Sequence, residues 1–170
     1  MTTRHTQVET PLGELTVVAE DDGVSGLYFP GHTYLPDEAL FGKAVEASQD
    51  ALLDTAAAQL AEYFSGRRTS FDVAATTHGD DFSEKVWAML RQIPYGETTT
   101  YGALAARLGN PHLAQRVGQA VGHNPVSIIV PCHRVVGADG SLTGFAGGIE
   151  RKRRLLELEE PADVTASRLF

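Results

Sequence analysis

Cys132 is the only thiol in this chain of 170 residues, and its neighbours decide whether it can act as a nucleophile. A lone cysteine beside an apolar strand is usually an inert core residue. A reactive cysteine needs a nearby base or positive charge that favours the thiolate. His133 is adjacent, but neighbouring side chains on extended backbone point to opposite faces. Contact between the two therefore needs a bridging water molecule or a turn at Pro131.

An imidazole base in turn needs a carboxylate that holds its ring in the right tautomer. Three glutamates near the C-terminus are candidates that the residue types alone do not rank: Glu150, Glu157 and Glu159. A single cysteine excludes an intrachain disulfide and a thiolate-rich zinc site. The six histidines lack any paired spacing, so we expect no metal site.

The elements that would position Cys132 lie in the second half of the chain. Asp81 followed by Glu84 resembles a capping box, and apolar residues recur at helical spacing up to Ile93. Thr100 can cap a short helix over 101–108, and a second short helix is predicted over about 112–121. The pair forms a helix-turn-helix pattern, for which an ordinary helical hairpin is the alternative. A short strand at 127–130 and a basic helix at 149–159 complete this half.

The first half has the pattern of a scaffold without an obvious reactive group. Alternating residues predict strands at 6–10, 14–20 and 24–29, and therefore a three-stranded antiparallel meander. A helix from Asp50 to Phe64 and one more strand at 71–75 follow. The predicted fold class is α+β. It has a small antiparallel β-sheet domain with a helix (1–75), a linker (76–81), a mainly helical domain carrying the helix-turn-helix and the cysteine (82–160), and a tail (161–170).

The net charge of −8 argues at first against a nucleic-acid partner. Residues 1–82 hold four Lys/Arg and fourteen Asp/Glu, a balance of −10, whereas residues 83–170 hold ten and eight, a balance of +2. The acidic surplus is therefore confined to the first half, and phosphates could approach the second. For the basic run from Arg151 to Arg154, phosphate contact and plain solvation stay equally open.

Five segments of the second half together resemble the O6-alkylguanine-DNA alkyltransferases. Pro131-Cys132-His133-Arg134-Val135 is similar to the active-site motif of that family. The other four segments are similar to the approach to its helix-turn-helix (93–102), its asparagine hinge (122–125), its substrate loop (144–148) and its final helix (151–159). Residues 82–159 match almost continuously, while residues 1–75 match only in their strand-then-helix order.

The resemblance implies a DNA repair protein that binds duplex DNA from the minor-groove side and flips out O6-alkylguanine. The alkyl group would pass irreversibly to Cys132, as in a single-turnover methylated-DNA–protein-cysteine methyltransferase that needs no cofactor. His133 would act as the base through a water molecule, and Glu159 would orient its ring. Asn124 would tie the recognition helix to the active-site turn, and Tyr101 would donate its hydroxyl toward the guanine.

Further contacts are implied for two sets of residues. The substrate contacts are Tyr101, Val135, Phe145, Ala146 and Gly147. The DNA contacts are Thr100, Ala114, Gln115, Arg116 and Gly118. The backbone carbonyls of Cys132 and Val135 would accept from the exocyclic amine of guanine, and the Ala146 amide would address its oxygen.

The recognition helix departs from the family pattern at its centre. Members normally carry an arginine that enters the base stack, and Gln115 stands at that position here. Arg116 follows one residue later, about 100° further around the helix. Which of the two side chains fills the stack stays open. Phe145 replaces a tyrosine that is common in the substrate loop, so that the ring is kept and one hydroxyl is lost.

Two other functions are the alternatives. A non-catalytic alkyltransferase-like lesion binder would lack the reactive cysteine that is present here. A thiol hydrolase has little support, because adjacent cysteine and histidine residues are poorly placed for direct contact. The sequence contains no apolar run long enough to span a membrane and no signal-like start, so we expect a cytoplasmic protein that is monomeric in solution.

Overall fold

The computed structural model describes residues 2–161, so most of the expected tail at 161–170 lies outside the described residues. The first half is a small sheet with one helix packed on it. Its elements are β1 (Thr3–Thr10), β2 (Gly13–Glu20), β3 (Gly23–Tyr28), β4 (Lys43–Ala44) and α1 (Ala51–Phe64). The strand order is β3-β2-β1-β4, with antiparallel pairing in the meander and β4 parallel to β1. The predicted meander and helix are confirmed, whereas the two residues of β4 are too few to leave a pattern in the sequence.

The first residues of α1 show how the helix is anchored to the sheet. The Asp50 carboxylate accepts a hydrogen bond from the Leu53 amide (3.1 Å), which satisfies an amide that has no partner within the helix. The same carboxylate accepts from the Arg4 guanidinium on β1 at 2.6 Å. Leu53, Leu60 and Tyr63 then lie on one buried face of α1.

The second half is mainly helical and contains the expected helix-turn-helix. Its elements are α2 (Asp81–Leu90), β5 (Thr99–Thr100), α3 (Tyr101–Arg107), α4 (Ala114–Gly122), β6 (Val135–Val136) and α5 (Ile149–Glu159). Thr100 caps α3 by accepting from the Ala103 amide at 3.0 Å. The indole of Trp87 on α2 donates to the Ala120 carbonyl on α4 at 2.8 Å, which fixes the recognition helix against the core. The α+β class is confirmed.

Two predicted strands are wrong. Segment 71–75 makes only one isolated parallel bridge, between Ala75 and Val24, because its remaining residues do not pair in register with β3. Segment 127–130 is a turn in which Ile128 has a φ of +73°, a left-handed conformation that a strand does not contain. Its run of branched apolar residues reflects burial in the core instead of strand pairing.

The N-terminus of α2 also differs from the prediction by one residue. Asp80, not Asp81, is the cap, and its carboxylate accepts from the Ser83 amide at 2.7 Å. Glu84 does not close a capping box with Asp81. It accepts instead from the Gly79 amide and the Thr77 hydroxyl, both at 2.8 Å, and so anchors the predicted linker to the helix.

A continuous hydrophobic core runs through both halves. It includes Leu15 and Leu60 from the sheet domain together with Leu90, Leu104 and Leu155 from the helical part. The domain boundaries at 75 and 82 remain a prediction, because this core does not divide there. Within residues 2–161, no helix combines the length and the apolar character needed to cross a membrane.

Candidate active site

A short turn presents the cysteine directly after the strained segment around Ile128. Cys132 begins a 3-10 helix, Cys132–Arg134, which leads into β6. Asn124, at the end of α4, donates to the Val130 carbonyl at 2.8 Å and accepts from the Val126 amide at 3.0 Å. These two bonds clamp the turn and connect the recognition helix to the cysteine.

The thiol of Cys132 is almost fully enclosed, with 5% of the residue exposed. Burial raises the pKa of the Cys132 thiol, because a thiolate is poorly solvated there. Hydrogen bonds from Asn124 and Ser127 and the positive charge of Lys152 act in the opposite direction. The free protein therefore holds Cys132 mainly as a thiol, beside groups that stabilise a thiolate once the proton leaves.

His133 lies in the interior and faces a carboxylate. Its Nε2 atom is 2.7 Å from Oε2 of Glu159, and the imidazole is completely buried. Burial lowers the pKa of His133 below its usual value, although the Glu159 carboxylate opposes that change. A neutral ring then donates from Nε2 to Glu159. Its Nδ1 atom, which has no hydrogen-bond partner among the residues that the structure describes, carries the basic lone pair.

Among the three candidate glutamates, Glu159 is the one in contact with His133. The Arg134 guanidinium donates to both of its oxygens, at 2.7 and 3.0 Å, and the Tyr63 hydroxyl donates to Oε2 at 2.5 Å. Burial raises the pKa of Glu159, but the hydrogen bonds from His133 and Arg134 outweigh it and lower the pKa to about 2. Glu159 is therefore a permanent anion, held by partners on three sides.

The other two glutamates of α5 take no part in this arrangement. Both Glu150 and Glu157 are exposed, and Glu150 pairs with Arg153 one turn along the helix, at 3.0 Å. The buried face of α5 carries Lys152, Leu155 and Glu159. Glu159 is therefore the candidate glutamate that reaches His133, because it is the one on this face.

A groove of about 600 Å³ lies between α4, the start of α3 and the loop before α5. Residues of all three elements line it, including Tyr101, Ala114, Gln115, Gly118, Phe145 and Ala146. The Tyr101 hydroxyl donates to the Thr143 carbonyl at 3.2 Å across the groove. A Cβ built on Gly118 would lie 3.6 Å from the Tyr101 ring, an ordinary van der Waals contact, so the ring lies close to α4 at this position. Burial raises the pKa of Tyr101, and the nearby Cys132 thiolate would raise it further, so the hydroxyl remains a donor.

The loop before α5 packs against the first half through Gly147. A Cβ at this position would meet the Phe29 ring at 2.4 Å and the Phe145 ring at 2.9 Å, so only glycine allows the approach. The Ala146 carbonyl accepts from the Thr33 amide at 2.8 Å, which adds a second contact with the sheet domain. Val135 is buried and pairs with Thr99, so that β5 holds the end of the active-site turn.

Gln115 and Arg116, in the first turn of the recognition helix α4, have different surroundings. Gln115 lines the groove. Arg116 lies over the Phe82 ring of α2, with its guanidinium carbon 3.9 Å from the ring centroid. Thr100 serves as the cap of α3, where its hydroxyl oxygen accepts one hydrogen bond within the protein.

Lys152 is a buried cation of the site that was not predicted from the sequence, because it stands within a basic run. Lys152 is fully buried and donates to the Thr143 carbonyl at 2.8 Å. Burial lowers its pKa to about 8, while Cys132 acts in the opposite direction. A signal was present, since Lys152 precedes Leu155 by three residues and Glu159 by seven, which places all three on one helical face.

Comparison with known proteins gives the same family over both halves. Residues 81–161 match the DNA binding domain of 6-O-methylguanine DNA methyltransferase, and residues 3–76 match the ribonuclease-like domain of the same protein. A Mycobacterium tuberculosis protein named methylated-DNA–protein-cysteine methyltransferase is 45% identical over 168 residues, covering 93% of this chain and 94% of that one.

Solved structures support membership of the same family. The crystal structure of the Mycobacterium tuberculosis O6-methylguanine methyltransferase matches with a TM-score of 0.83 at 42% identity, over 97% of this chain and 99% of that one. A crystal structure from the same organism in complex with DNA also gives 0.83 at 42% identity, over 95% and 98%. These matches favour alkyl transfer in DNA repair over a non-catalytic lesion binder. The chain belongs to the O6-methylguanine DNA methyltransferase family.

Proposed function

We propose that this protein repairs O6-alkylguanine in duplex DNA by transferring the alkyl group irreversibly to Cys132. Family membership supports the reaction class. The observation that carries the residue assignment is the buried succession of Cys132, His133 and Glu159 at the end of the turn that Asn124 clamps to the recognition helix. Tyr101, whose pKa is affected by the charge of Cys132, lines a groove that is bounded by the helix-turn-helix on one side and by the loop before α5 on the other.

The reaction begins with a proton transfer inside the protein. The Cys132 thiol gives its proton to Nδ1 of His133 through a bridging water molecule, and the resulting imidazolium is stabilised by Glu159. Lys152 stabilises the thiolate from the other side. A buried thiol with a raised pKa suits this scheme, because it stays protonated and unreactive until His133 takes its proton.

The bond changes are those of an in-line displacement at carbon. The Cys132 sulfur forms a bond to the alkyl carbon while the bond from that carbon to guanine O6 breaks, and its electron pair stays on the guanine. The Tyr101 hydroxyl exchanges its bond with the Thr143 carbonyl for one to the leaving base and offsets the charge that develops there. A thioether cannot be reversed by thiol exchange, so each protein molecule repairs one lesion.

The lesion must leave the base stack before Cys132 can reach it, at a cost of roughly a few kcal/mol. We propose that α4 enters the minor groove with its face of small and uncharged residues, which includes Ala114, Gln115 and Gly118. The Mycobacterium tuberculosis relative has been crystallised in complex with DNA, which supports duplex DNA as the partner. α4 carries one charged side chain, Arg116, so this helix offers few phosphate contacts and its own contribution to the salt dependence of binding should be small.

The test uses a duplex that contains one O6-methylguanine with a labelled methyl group. We expect one equivalent of label to appear on the protein, on the peptide that contains Cys132, with no further turnover. Cys132→Ser should bind the same duplex and acquire no label. Label on another residue would refute the assignment of Cys132, whereas multiple turnovers would indicate a hydrolase.

Three finer points belong to the same proposal. Duplexes with alkylated thymine test the preference for guanine. Competition with a ligand of the DNA minor groove tests whether the protein binds DNA from that side. Gel filtration tests the monomer, and cell fractionation tests the cytoplasmic location. A dimer or a membrane-associated fraction would contradict these two expectations without affecting the chemistry.

A further inference from the structure

We propose that Tyr63, in the sheet domain, is a positioning residue for alkyl transfer, because its hydroxyl holds the Glu159 carboxylate and thereby sets the basicity of His133. This inference rests on the proposed roles of Cys132 and His133. It gives the first half of the chain a part in the chemistry, where the sequence analysis expected a scaffold only.

The contact joins two residues 96 positions apart in the sequence. Tyr63 lies on the buried face of α1, one residue before the end of that helix, and is completely enclosed. Its hydroxyl donates to Oε2 of Glu159 at 2.5 Å, and Oε2 is the same oxygen that His133 contacts at 2.7 Å. Tyr63 and His133 therefore compete for the charge on one atom.

Tyr63 can act only as a donor in this place. Burial raises the pKa of Tyr63 far above its usual value, and the negative charge of Glu159 raises it further. A Tyr63 phenolate would place a second negative charge beside the Glu159 carboxylate. The neighbouring cation, Arg134, already donates to both oxygens of Glu159 and balances that charge. The hydroxyl proton consequently points to Oε2 throughout the pH range in which Glu159 is charged.

A hydrogen bond to a carboxylate stabilises its charged form and weakens its pull on other protons. With Tyr63 in place, Glu159 holds less negative charge for His133, so the imidazolium is less favoured. Removal of the hydroxyl should leave Oε2 more basic and raise the pKa of His133. The expected rise in the pKa of His133 is therefore opposite to the fall expected from a mutation that merely weakens the contact between Glu159 and His133.

The groups that act on His133 come from three elements. They are Arg134 on its own turn, Glu159 and Lys152 on α5, and, through Glu159, Tyr63 on α1. The Cys132 thiol is the other titratable group of that turn. Arg134 and Lys152 lower the pKa of His133, whereas Glu159 raises it. Tyr63 differs from these groups because it affects the pKa of His133 through Glu159 alone. Removal of the Tyr63 hydroxyl therefore isolates the effect of that carboxylate.

Tyr95 provides a matched control. It lies in the same cluster, with its ring centroid 6.3 Å from that of Tyr63, but its hydroxyl donates to the Leu158 carbonyl at 3.2 Å. Tyr63→Phe and Tyr95→Phe therefore each remove one hydroxyl and one hydrogen bond from neighbouring positions. They differ in whether the lost partner is the carboxylate that faces His133.

The experiment measures the single-turnover rate of alkyl transfer from the free base O6-benzylguanine as a function of pH. A free base needs no DNA binding, so changes in duplex affinity do not enter. In the wild type, the rate should rise with pH as His133 loses its proton. In Tyr63→Phe, we expect the midpoint of this acid limb to move up by roughly half a unit to one unit. A hydrogen bond to a charged group is worth about one to two units, and only part of this reaches His133 through Glu159. Tyr95→Phe should leave the midpoint in place.

A second variant keeps the inference testable if Tyr63→Phe does not fold. Site-specific 3-fluorotyrosine at position 63 is a stronger donor of nearly the same size, and it should move the midpoint down. A midpoint that stays fixed in the folded variants would overturn the inference, as would an equal movement in Tyr95→Phe. A wild-type protein that acquires no benzyl group on Cys132 would instead overturn the proposed function itself.

Discussion

The guanidinium of Arg116 lies over the Phe82 ring of α2, whereas Gln115 lines the groove beside Tyr101. The two residues are about 100° apart on α4, so only one of them can face the groove. The packing of α4 against α2 selects Gln115 for that position. A neutral amide therefore stands where the family normally has an arginine.

The first prediction concerns this position. Gln115→Arg should tighten binding to duplex DNA that contains the lesion and speed its repair, because a longer side chain can fill the stack that the flipped base leaves. Reaction with a free alkylated base should not change, since no flipping is needed there. Duplex repair and free-base reaction measured side by side would separate the two effects.

Arg116→Ala serves as the comparison for that experiment. It should lower the free energy of unfolding by about 0.5–1 kcal/mol through loss of the contact with Phe82, and leave duplex repair nearly intact. If Arg116→Ala instead abolishes duplex repair while Gln115→Arg has no effect, then α4 must rotate on DNA and Arg116 enters the stack.

A second prediction treats His133 and Glu159 as one unit. His133→Gln and Glu159→Gln should each slow single-turnover transfer strongly, and the double variant should be little slower than the worse single one. Glu157→Gln, an exposed change on the same helix, should leave the rate unaltered. Rate losses that multiply in the double variant would mean that the two residues act independently.

The third prediction follows from the pKa of Glu159, which falls from a usual value of 4.5 to about 2. A carboxylate with a lowered pKa in the folded state stabilises the protein above pH 4.5, and this contribution is lost as the pH falls toward 2. It amounts to about 3 kcal/mol at neutral pH.

Chemical unfolding of the wild type and of Glu159→Gln at several pH values checks that contribution. The variant should be the less stable protein at pH 7, where Arg134 is left buried without its anion, and the difference should narrow below pH 4.5. A difference that stays constant down to pH 2 would contradict the low pKa. Glu157→Gln again controls for the change of net charge.

The fourth prediction concerns the basic run at the start of α5. Arg151 donates to the carbonyls of Leu12 and Pro30 in the first half, at 3.0 and 2.8 Å, and to the Gly147 carbonyl at 3.0 Å. Arg151→Gln should therefore lower the free energy of unfolding by about 2 kcal/mol. Arg153→Gln removes the same charge from an exposed pair and should change it by less than about 0.5 kcal/mol.

DNA binding by the same two variants addresses the alternative of phosphate contact. If the whole basic run serves phosphates, both variants should lose affinity and salt dependence to the same degree. Equal losses of stability in the two variants would show that the bonds from Arg151 to the first half contribute nothing.

Local features of the sequence were sufficient for much of the fold and for the choice of Cys132. The meander, α1 and the two helices of the helix-turn-helix follow from periodicity and from caps such as Asp50 and Thr100, which act over a few residues. The same locality explains the errors. The buried apolar residues at 127–130 have the composition of a strand although they form a turn. The two-residue β4 and the parallel pairing of β5 with β6 leave no pattern in the local sequence.

The sequence by itself determined which residue can be alkylated and which motif surrounds it, because a unique thiol and its neighbours are properties of the chain. Only the tertiary structure decided what controls that thiol. It selected Glu159 over Glu157, buried Lys152 although its neighbours in the basic run are not buried, and brought Tyr63 to the carboxylate across 96 residues. Such contacts depend on which face of α1 and of α5 turns inward, and that choice is made by the packing of the whole core.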